Sequence, residues 1–381
     1  MVAYTSQARA EDRSQIAAFD AEIAKLETTL SILRAKRQVV QDRLDSFSYP
    51  VLTLPTELVS EIFVQYIPRY PARAPLFGDS PLSLGWICSS WRDIAHRNPS
   101  LWRTLDLRGV DRLIGAPEEE AIAYYLSTIR AWLERSKSMP LSIAYSTDQT
   151  FLLDAVTAHC DRWEYLVVAI PENGARLPTE LPQLRQLDIE FIDVDVPREL
   201  APLVAPRLSA AFFRSVSDVR LNDYLPWAQL TAVSLRYVWV HVVESILRST
   251  PSLVRCRLYV SYDSELSASP LSPLRLDNLD TLVVEFGDAC DSLRALLRAL
   301  RAPALKHFFI HGDVIDHGAQ PQPAAFLSTV LGNFGCRLER LRIAGPVGQV
   351  EAYKEAFAAI PRLELSDHYT VDSASWGDWN I

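Results

Sequence analysis

Two short patterns of polar residues have the types and spacing that could do chemistry. Asp193 and Asp195 form a D-x-D pair, and His159 directly precedes Cys160. A D-x-D holds a divalent metal in some transferases, and an imidazole beside a thiol can activate a nucleophilic cysteine. A lone D-x-D is a weak signal at what reads as a strand end, and adjacent residues do not bring Sγ and a ring nitrogen into general-base geometry. We therefore predict neither a metal site nor a catalytic pair here.

The histidines give no stronger sign of catalysis. His307 and His311 lie four residues apart, which in a strand places them on one face but about 13 Å from each other. The sequence contains no G-x-S-x-G elbow, no Walker loop and no H-E-x-x-H motif. We predict a chain with no catalytic residues, no metal and no cofactor. An enzymatic alternative, an undetected hydrolase or transferase, would need Asp, His or Cys converging in one pocket.

Composition excludes some partners and suggests several structural units. The 381 residues carry 38 Lys plus Arg against 47 Asp plus Glu, a net charge of −9, which disfavours a general nucleic-acid or anionic-membrane surface. Five cysteines are scattered singly, as reduced core residues are, and neither a signal-peptide run nor a membrane-length apolar stretch occurs. We expect an intracellular protein of the cytoplasm or nucleus with two or three units.

The first 49 residues predict a coiled-coil helix. Nine of the ten a and d positions of one heptad register are apolar, and only Arg37 interrupts them. The apolar positions are Ile16, Phe19, Ile23, Leu26, Leu30, Leu33, Val40, Leu44 and Phe47. Such a seam favours pairing through helix 16–47, as a homodimer or with another protein as a heterodimer. The alternative is an amphipathic helix packed on its own chain.

Residues 50–105 predict three short helices. Pro55 and Glu57 mark the start of the first, because proline suits the first helical turn and a carboxylate complements its positive end. A proline-rich stretch, RYPARAPLFGDSP, reads as a surface loop, and Asn98-Pro99 separates the last two helices. The dense apolar residues in so small a unit imply a partner surface.

This segment resembles an F-box. It opens with Leu54, Pro55, Glu57, Leu58, Ile62 and Phe63 and continues with Ile87, Cys88, Trp91, Arg92, Ile94, Ala95, Leu101 and Trp102. It departs from the family in its longer proline-rich loop and in Ser90, where a basic residue is common. The order of the parts is similar to the large F-box families of mushroom-forming fungi.

The resemblance implies docking rather than chemistry. F-box helices bind the adaptor subunit of an SCF-type cullin–RING ubiquitin ligase and present a captured protein for ubiquitination by other subunits. The adaptor-binding residues it implies are Leu54, Pro55, Leu58, Ile62, Ile87, Cys88, Trp91, Leu101 and Trp102. For Trp91 and Trp102 the alternative is that they fill the protein's own core. The alternative function is a non-catalytic interaction scaffold that engages no ligase.

Residues 106–370 carry a repeated L-x-x-L-x-L pattern. From Trp163 onward it recurs every 21 to 33 residues, with helical patterns between copies. The region resembles an irregular leucine-rich-repeat solenoid of parallel strands, although most copies lack the family's Asn or Cys. A conventional α/β sheet is the alternative. We expect a multi-domain α/β protein, with residues 371–381 and their Trp376 and Trp379 capping the open end.

One position of each repeat is expected to point away from the core. It lies between the last two hydrophobes of the motif, and alternation turns it to the other face of the strand. The predicted substrate-binding stripe is Asp188, Phe212, Arg257, Val283, Phe309 and Arg342. Aromatic and arginine side chains favour protein interfaces. The alternative is that a helix or the C-terminal tail covers them.

Overall fold

A computed structural model describes most of the chain and divides it into two units, residues 1–59 and 60–381. The described residues are 6–46, 53–108, 118–147, 150–171, 177–192, 201–214, 221, 223–260, 272–285, 291–316, 323–345 and 350–366. Asp193, Asp195 and the predicted capping tail 371–381 lie outside them.

The first unit contains the long helix expected from the heptads. Helix α1 covers Ser6–Asp45, which at 1.5 Å per residue is about 60 Å. Its seam residues from Ile16 to Leu44 expose between 47 and 65% of their surface, whereas Phe47 is outside the described residues. None of the helices that the structure describes is both long and apolar enough to cross a membrane.

Short helices follow α1. They are α2 (Thr56–Tyr66), α3 (Pro81–Ile87), α4 (Ser89–Arg97) and a 3₁₀ turn at Pro99–Trp102. The helical spacing of Leu84, Ile87, Cys88, Trp91, Ile94 and Ala95 predicts one continuous helix. The structure divides it at Cys88, whose backbone is extended. The Cys88 thiol accepts a hydrogen bond from the Trp91 amide at 3.5 Å, so it caps the start of α4.

Within its described residues, the second unit is built on an eleven-stranded sheet. Its strands are β1 (Thr104–Asp106), β2 (Leu141–Ser146), β3 (Trp163–Pro171), β4 (Gln186–Ile192), β5 (Ala210–Arg214), β6 (Ala232–Val238), β7 (Arg255–Val260), β9 (Thr281–Glu285), β11 (His307–His311), β12 (Arg340–Ala344) and β13 (Arg362–Ser366). All neighbours are parallel and their order in the sheet follows the chain. Strands β8 (Leu274–Arg275) and β10 (Leu300–Arg301) form a separate parallel pair.

The repeated motif sets the register of this sheet. The middle hydrophobe of each copy pairs with that of the next, and each is no more than 1% exposed. The ladder is Leu166, Leu187, Ala211, Val233, Cys256, Leu282, Phe308 and Leu341. We call this side the motif face. The other side, which carries the alternate residues, is the opposite face.

Helices connect many of the strands, as parallel pairing requires. They are α5 (Glu118–Arg135), α6 (Thr150–Thr157), α7 (Val240–Ser249), α8 (Asp291–Ala299), α9 (Gly312–Asp316), α10 (Pro323–Phe334) and α11 (Val350–Ala356). Helix α7 buries Val240, Val243, Ile246 and Leu247, a spacing that places them on one side of the helix. Strand β6 instead follows a 3₁₀ turn at Trp227–Gln229, so the units are irregular.

The proline-rich stretch before α3 is not simply a surface loop. Ala74 and Leu76 are buried, and the Asp106 amide donates to the Ala74 carbonyl at 2.8 Å. The Ser142 hydroxyl donates to the Pro71 carbonyl at 2.6 Å. These bonds fix the segment along the β1–β2 end of the sheet.

Candidate functional site

In the second unit, four large apolar side chains stand exposed on two short helices. They are Ile62 and Tyr66 of α2, and Trp86 and Ile87 of α3, each with 47 to 64% of its surface exposed. The Tyr66 hydroxyl lies 3.5 Å from the Ser83 hydroxyl, so the end of α2 is close to α3. We call these four residues the helix patch.

Contacts between neighbouring residues of the three helices hold the patch in place. The Phe63 ring meets the Trp91 ring edge-on at 4.9 Å, which joins α2 to α4. The Arg92 guanidinium donates to the Gly85 carbonyl at 2.8 Å, which joins α4 to α3. Because the extended residue Cys88 separates α3 from α4, Ile87 leaves the apolar face that a continuous helix would have given it.

The structure separates the predicted adaptor-binding residues into three groups. Exposed are Leu54, Pro55 and Leu58 in the first unit, and Ile62 and Ile87 in the second. Cys88 and Trp91 are half-buried. Leu101 and Trp102 are buried, at 0 and 1% exposure.

The prediction that Leu101 and Trp102 face a partner is therefore wrong. The indole N–H of Trp102 donates to the Ala95 carbonyl at 2.7 Å, and its ring meets Trp132 of α5 edge-on at 5.1 Å. Arg135 lies over the same ring at 4.7 Å. The 3₁₀ turn that carries Leu101 and Trp102 runs directly into β1, which places both in the core.

Trp86 is a surface residue that the sequence interpretation missed. Leu84, Cys88 and Trp91 define the apolar face of the predicted helix, and Trp86 lies off that face. This position was the available signal, because a large aromatic residue off the apolar face of a helix is exposed. Such a residue suits a protein interface.

A second feature lies on the opposite face, where a cleft of about 630 Å³ opens. Its floor comes from strands β1 and β3 to β7, and its wall from residues 69–73. Six arginines line it: Arg69, Arg73, Arg108, Arg214, Arg236 and Arg257. We call it the arginine cleft.

Three of these arginines have carboxylate partners in the part of the chain that is described. Arg108 makes two bonds to Asp106, at 2.6 and 3.0 Å, and Arg214 lies 3.2 Å from Asp188. Arg257 lies 2.5 Å from Glu285. Burial raises the pKa of Asp188, an effect opposed by Arg214, Arg73 and Arg108.

Arg73 and Arg236 are differently placed. Nε and one terminal nitrogen of Arg73 are buried without a hydrogen-bond partner among the residues described, and so is Nε of Arg236. Burial, followed by the positive charge of Arg108, lowers the pKa of Arg73. Arg236 lies 5.8 Å from the Tyr259 ring centre. The cleft therefore contains guanidinium donors that the described chain does not satisfy.

The predicted substrate-binding stripe is divided by this arrangement. Asp188, Phe212 and Arg257 line the cleft and are partly exposed. Arg342 is half-buried outside the cleft lining, 5.7 Å from the ring centre of Phe309.

Val283 and Phe309 are not accessible, so the prediction of a continuous exposed stripe is wrong at these positions. They are 1 and 0% exposed and form a small buried cluster with Ala344 on the opposite face. Both side chains point away from the motif face, as predicted, and the two residues are register partners on strands β9 and β11. Alternation defines the face but not whether other residues cover it.

The structure describes four of the polar residues considered for catalysis: His159, Cys160, His307 and His311. Burial raises the pKa of the Cys160 thiol and lowers that of the His159 imidazole, which opposes thiolate formation. His307 contacts Asp280 at 3.2 Å. In the part of the chain described, no three His, Cys, Asp or Glu residues are grouped to hold a metal ion.

No protein-family model matches the chain, and no curated protein shows significant similarity to it.

Proposed function

We propose that this chain is the substrate-recognition subunit of an SCF-type cullin–RING ubiquitin ligase, and that it performs no chemistry itself. The helix patch carries the proposal: four large apolar residues remain exposed on short helices that bury other apolar residues, such as Phe63 and Leu84. In this proposal the patch binds the ligase adaptor, and the sheet region binds the protein to be ubiquitinated.

The energetics of the patch favour a docking role. Burying one large apolar side chain gives about 1.5–3 kcal/mol, so four of them supply a substantial part of a protein–protein interface. Tryptophan and tyrosine are the side chains most often responsible for interface affinity, and Trp86 and Tyr66 provide one of each. The F-box-like sequence from Leu54 to Trp102 supports the ligase adaptor as the partner.

The sheet supports the receptor half of the proposal. Its strands follow chain order and are all parallel, the arrangement expected of the proposed leucine-rich-repeat-like solenoid. The part of such a sheet face that stays accessible suits recognition of another protein. Asp188, Phe212 and Arg257 are predicted contacts that line the cleft on this face and stay partly exposed.

Binding to the purified ligase adaptor tests the proposal. We expect the wild-type chain to form a complex in calorimetry, and Trp86→Ser or Ile87→Ser to weaken it at least about tenfold, the loss typical of an interface anchor. Val204→Ser is the matched control, because Val204 is 59% exposed and lies outside the patch. Absence of binding by the folded wild-type chain would refute the ligase role and favour the interaction scaffold.

A further inference from the structure

We propose that the arginine cleft binds a small ligand carrying at least two phosphate groups. Six guanidinium groups line it, whereas the carboxylates that the structure describes on this part of the opposite face are Asp106, Asp188, Glu190 and Glu285. An excess of positive charge is thus concentrated at one place in a chain whose net charge is −9. This inference does not depend on the ligase proposal, since the cleft and the helix patch share no residue.

The strand register forces two of the positive charges together. Arg214 and Arg236 are register partners on the neighbouring strands β5 and β6, whose backbones lie about 4.8 Å apart. Both side chains line the cleft. Like charges directly opposite each other on a sheet are destabilising. Asp188 pairs with Arg214, which leaves Arg236 without an ion pair among the contacts described. An anion bound between the two strands would supply an ion-pair partner for Arg236.

The cleft wall adds a second unsatisfied donor set. Nε and one terminal nitrogen of Arg73 are shielded from solvent without an acceptor in the described structure. Leaving buried donors unsatisfied is unfavourable, and the effect is larger for a charged group. The wall is nonetheless held firmly by the bonds of Pro71 to Ser142 and of Ala74 to Asp106. Arg73 is therefore presented to the cleft by a fixed backbone.

The position of these donors selects the ligand chemistry. Arg73 belongs to the wall and Arg236 to the floor, so a ligand that meets both must offer acceptors in more than one direction. Tetrahedral phosphate does so, whereas a planar carboxylate offers its oxygens in one plane. Guanidinium forks pair well with phosphate oxygens. The volume of about 630 Å³ falls within the usual range for small-molecule pockets and accommodates more than one phosphate.

Titration calorimetry of the full chain with inorganic tripolyphosphate tests the proposal at physiological ionic strength. We expect saturable one-to-one binding by the wild type, and affinity reduced about tenfold or more in Arg236→Gln and in Arg73→Gln. Arg97→Gln is the control. It removes the same charge from an exposed residue of α4 outside the cleft, and its affinity should stay within about twofold of wild type.

Circular dichroism verifies that each variant is folded, and Arg236→Gln alone decides the result if Arg73→Gln fails to fold. Equal losses in Arg236→Gln and Arg97→Gln would show general charge attraction and overturn the proposal. It would also be overturned by absence of saturable binding or by equal affinity for sulfate, which carries a single anionic group. Anion binding is measured without the ligase adaptor, so its failure is distinct from failure of adaptor binding.

Discussion

Trp86 and Trp102 are the same residue type, sixteen positions apart, and the structure gives them opposite roles. Trp86 is 64% exposed on α3, whereas Trp102 is 1% exposed against Trp132. We predict that Trp102→Ala lowers the free energy of unfolding by about 3–5 kcal/mol, the usual cost of emptying a buried tryptophan site. We predict that Trp86→Ala changes it by no more than about 0.5 kcal/mol.

The Trp102 contacts account for that magnitude. The indole bond to the Ala95 carbonyl, at 2.7 Å, contributes about 1 kcal/mol net. The edge-on contact with Trp132 contributes about 0.5–1.5 kcal/mol beyond its buried area. Loss of packing around the empty site accounts for the remainder. Trp102→Phe keeps most of the packing but not the N–H donor, and we expect an intermediate loss.

Urea unfolding followed by far-ultraviolet circular dichroism measures the difference, because tryptophan fluorescence changes with the substitution itself. The same variants are then titrated with the ligase adaptor under conditions where both are folded. We expect Trp86→Ala to lose adaptor affinity while keeping its stability. Equal stability losses in the two variants, or a neutral Trp102→Ala, would refute the assignment of one tryptophan to the surface and the other to the core.

Two further predictions concern the first unit and the motif face. Leu26→Glu combined with Leu30→Glu should abolish association through the exposed seam of α1, whether the partner is a second copy or another protein. The surface change Glu27→Gln should leave this association intact. Sedimentation of the chain, alone and with binding proteins, measures the association of both variants. Burial raises the pKa of the Cys256 thiol to about 12, so above pH 9 the unfolded chain ionises first and stability falls with rising pH. Between pH 9 and 11 the unfolding free energy of Cys256→Ala should therefore fall less steeply than that of the wild type, the two slopes differing by about 1.4 kcal/mol per pH unit. Identical slopes would contradict the burial of this thiol.

The sequence was informative wherever the governing interactions are local. Each L-x-x-L-x-L copy from Trp163 onward coincides with a strand of the parallel sheet, because alternation of apolar side chains determines both the strand and its buried face. The long helix α1 followed equally from its heptads. The division between α3 and α4 was not predictable from periodicity, since it depends on the Cys88 thiol capping Trp91.

Exposure was harder to predict than direction. Phe212 and Phe309 occupy equivalent motif positions, and both point away from the motif face, yet Phe212 is partly exposed in the cleft and Phe309 is buried. Trp102 lies inside the F-box-like pattern and is buried by Trp132, thirty residues later. Whether a side chain is covered depends on contacts between distant parts of the chain, which a local pattern does not contain.

The arginine cleft shows why composition gave only an average. Its arginines extend from position 69 to position 257, and the parallel register, rather than any sequence motif, brings Arg214 beside Arg236. A net charge of −9 argues against an extended phosphate-binding surface, which needs many basic residues spread over a large area. The net charge does not argue against a small phosphate-binding site, because at physiological ionic strength the attraction to a ligand phosphate depends on charges within about 10 Å. A chain can therefore repel nucleic acid overall and still hold a small polyphosphate at one site.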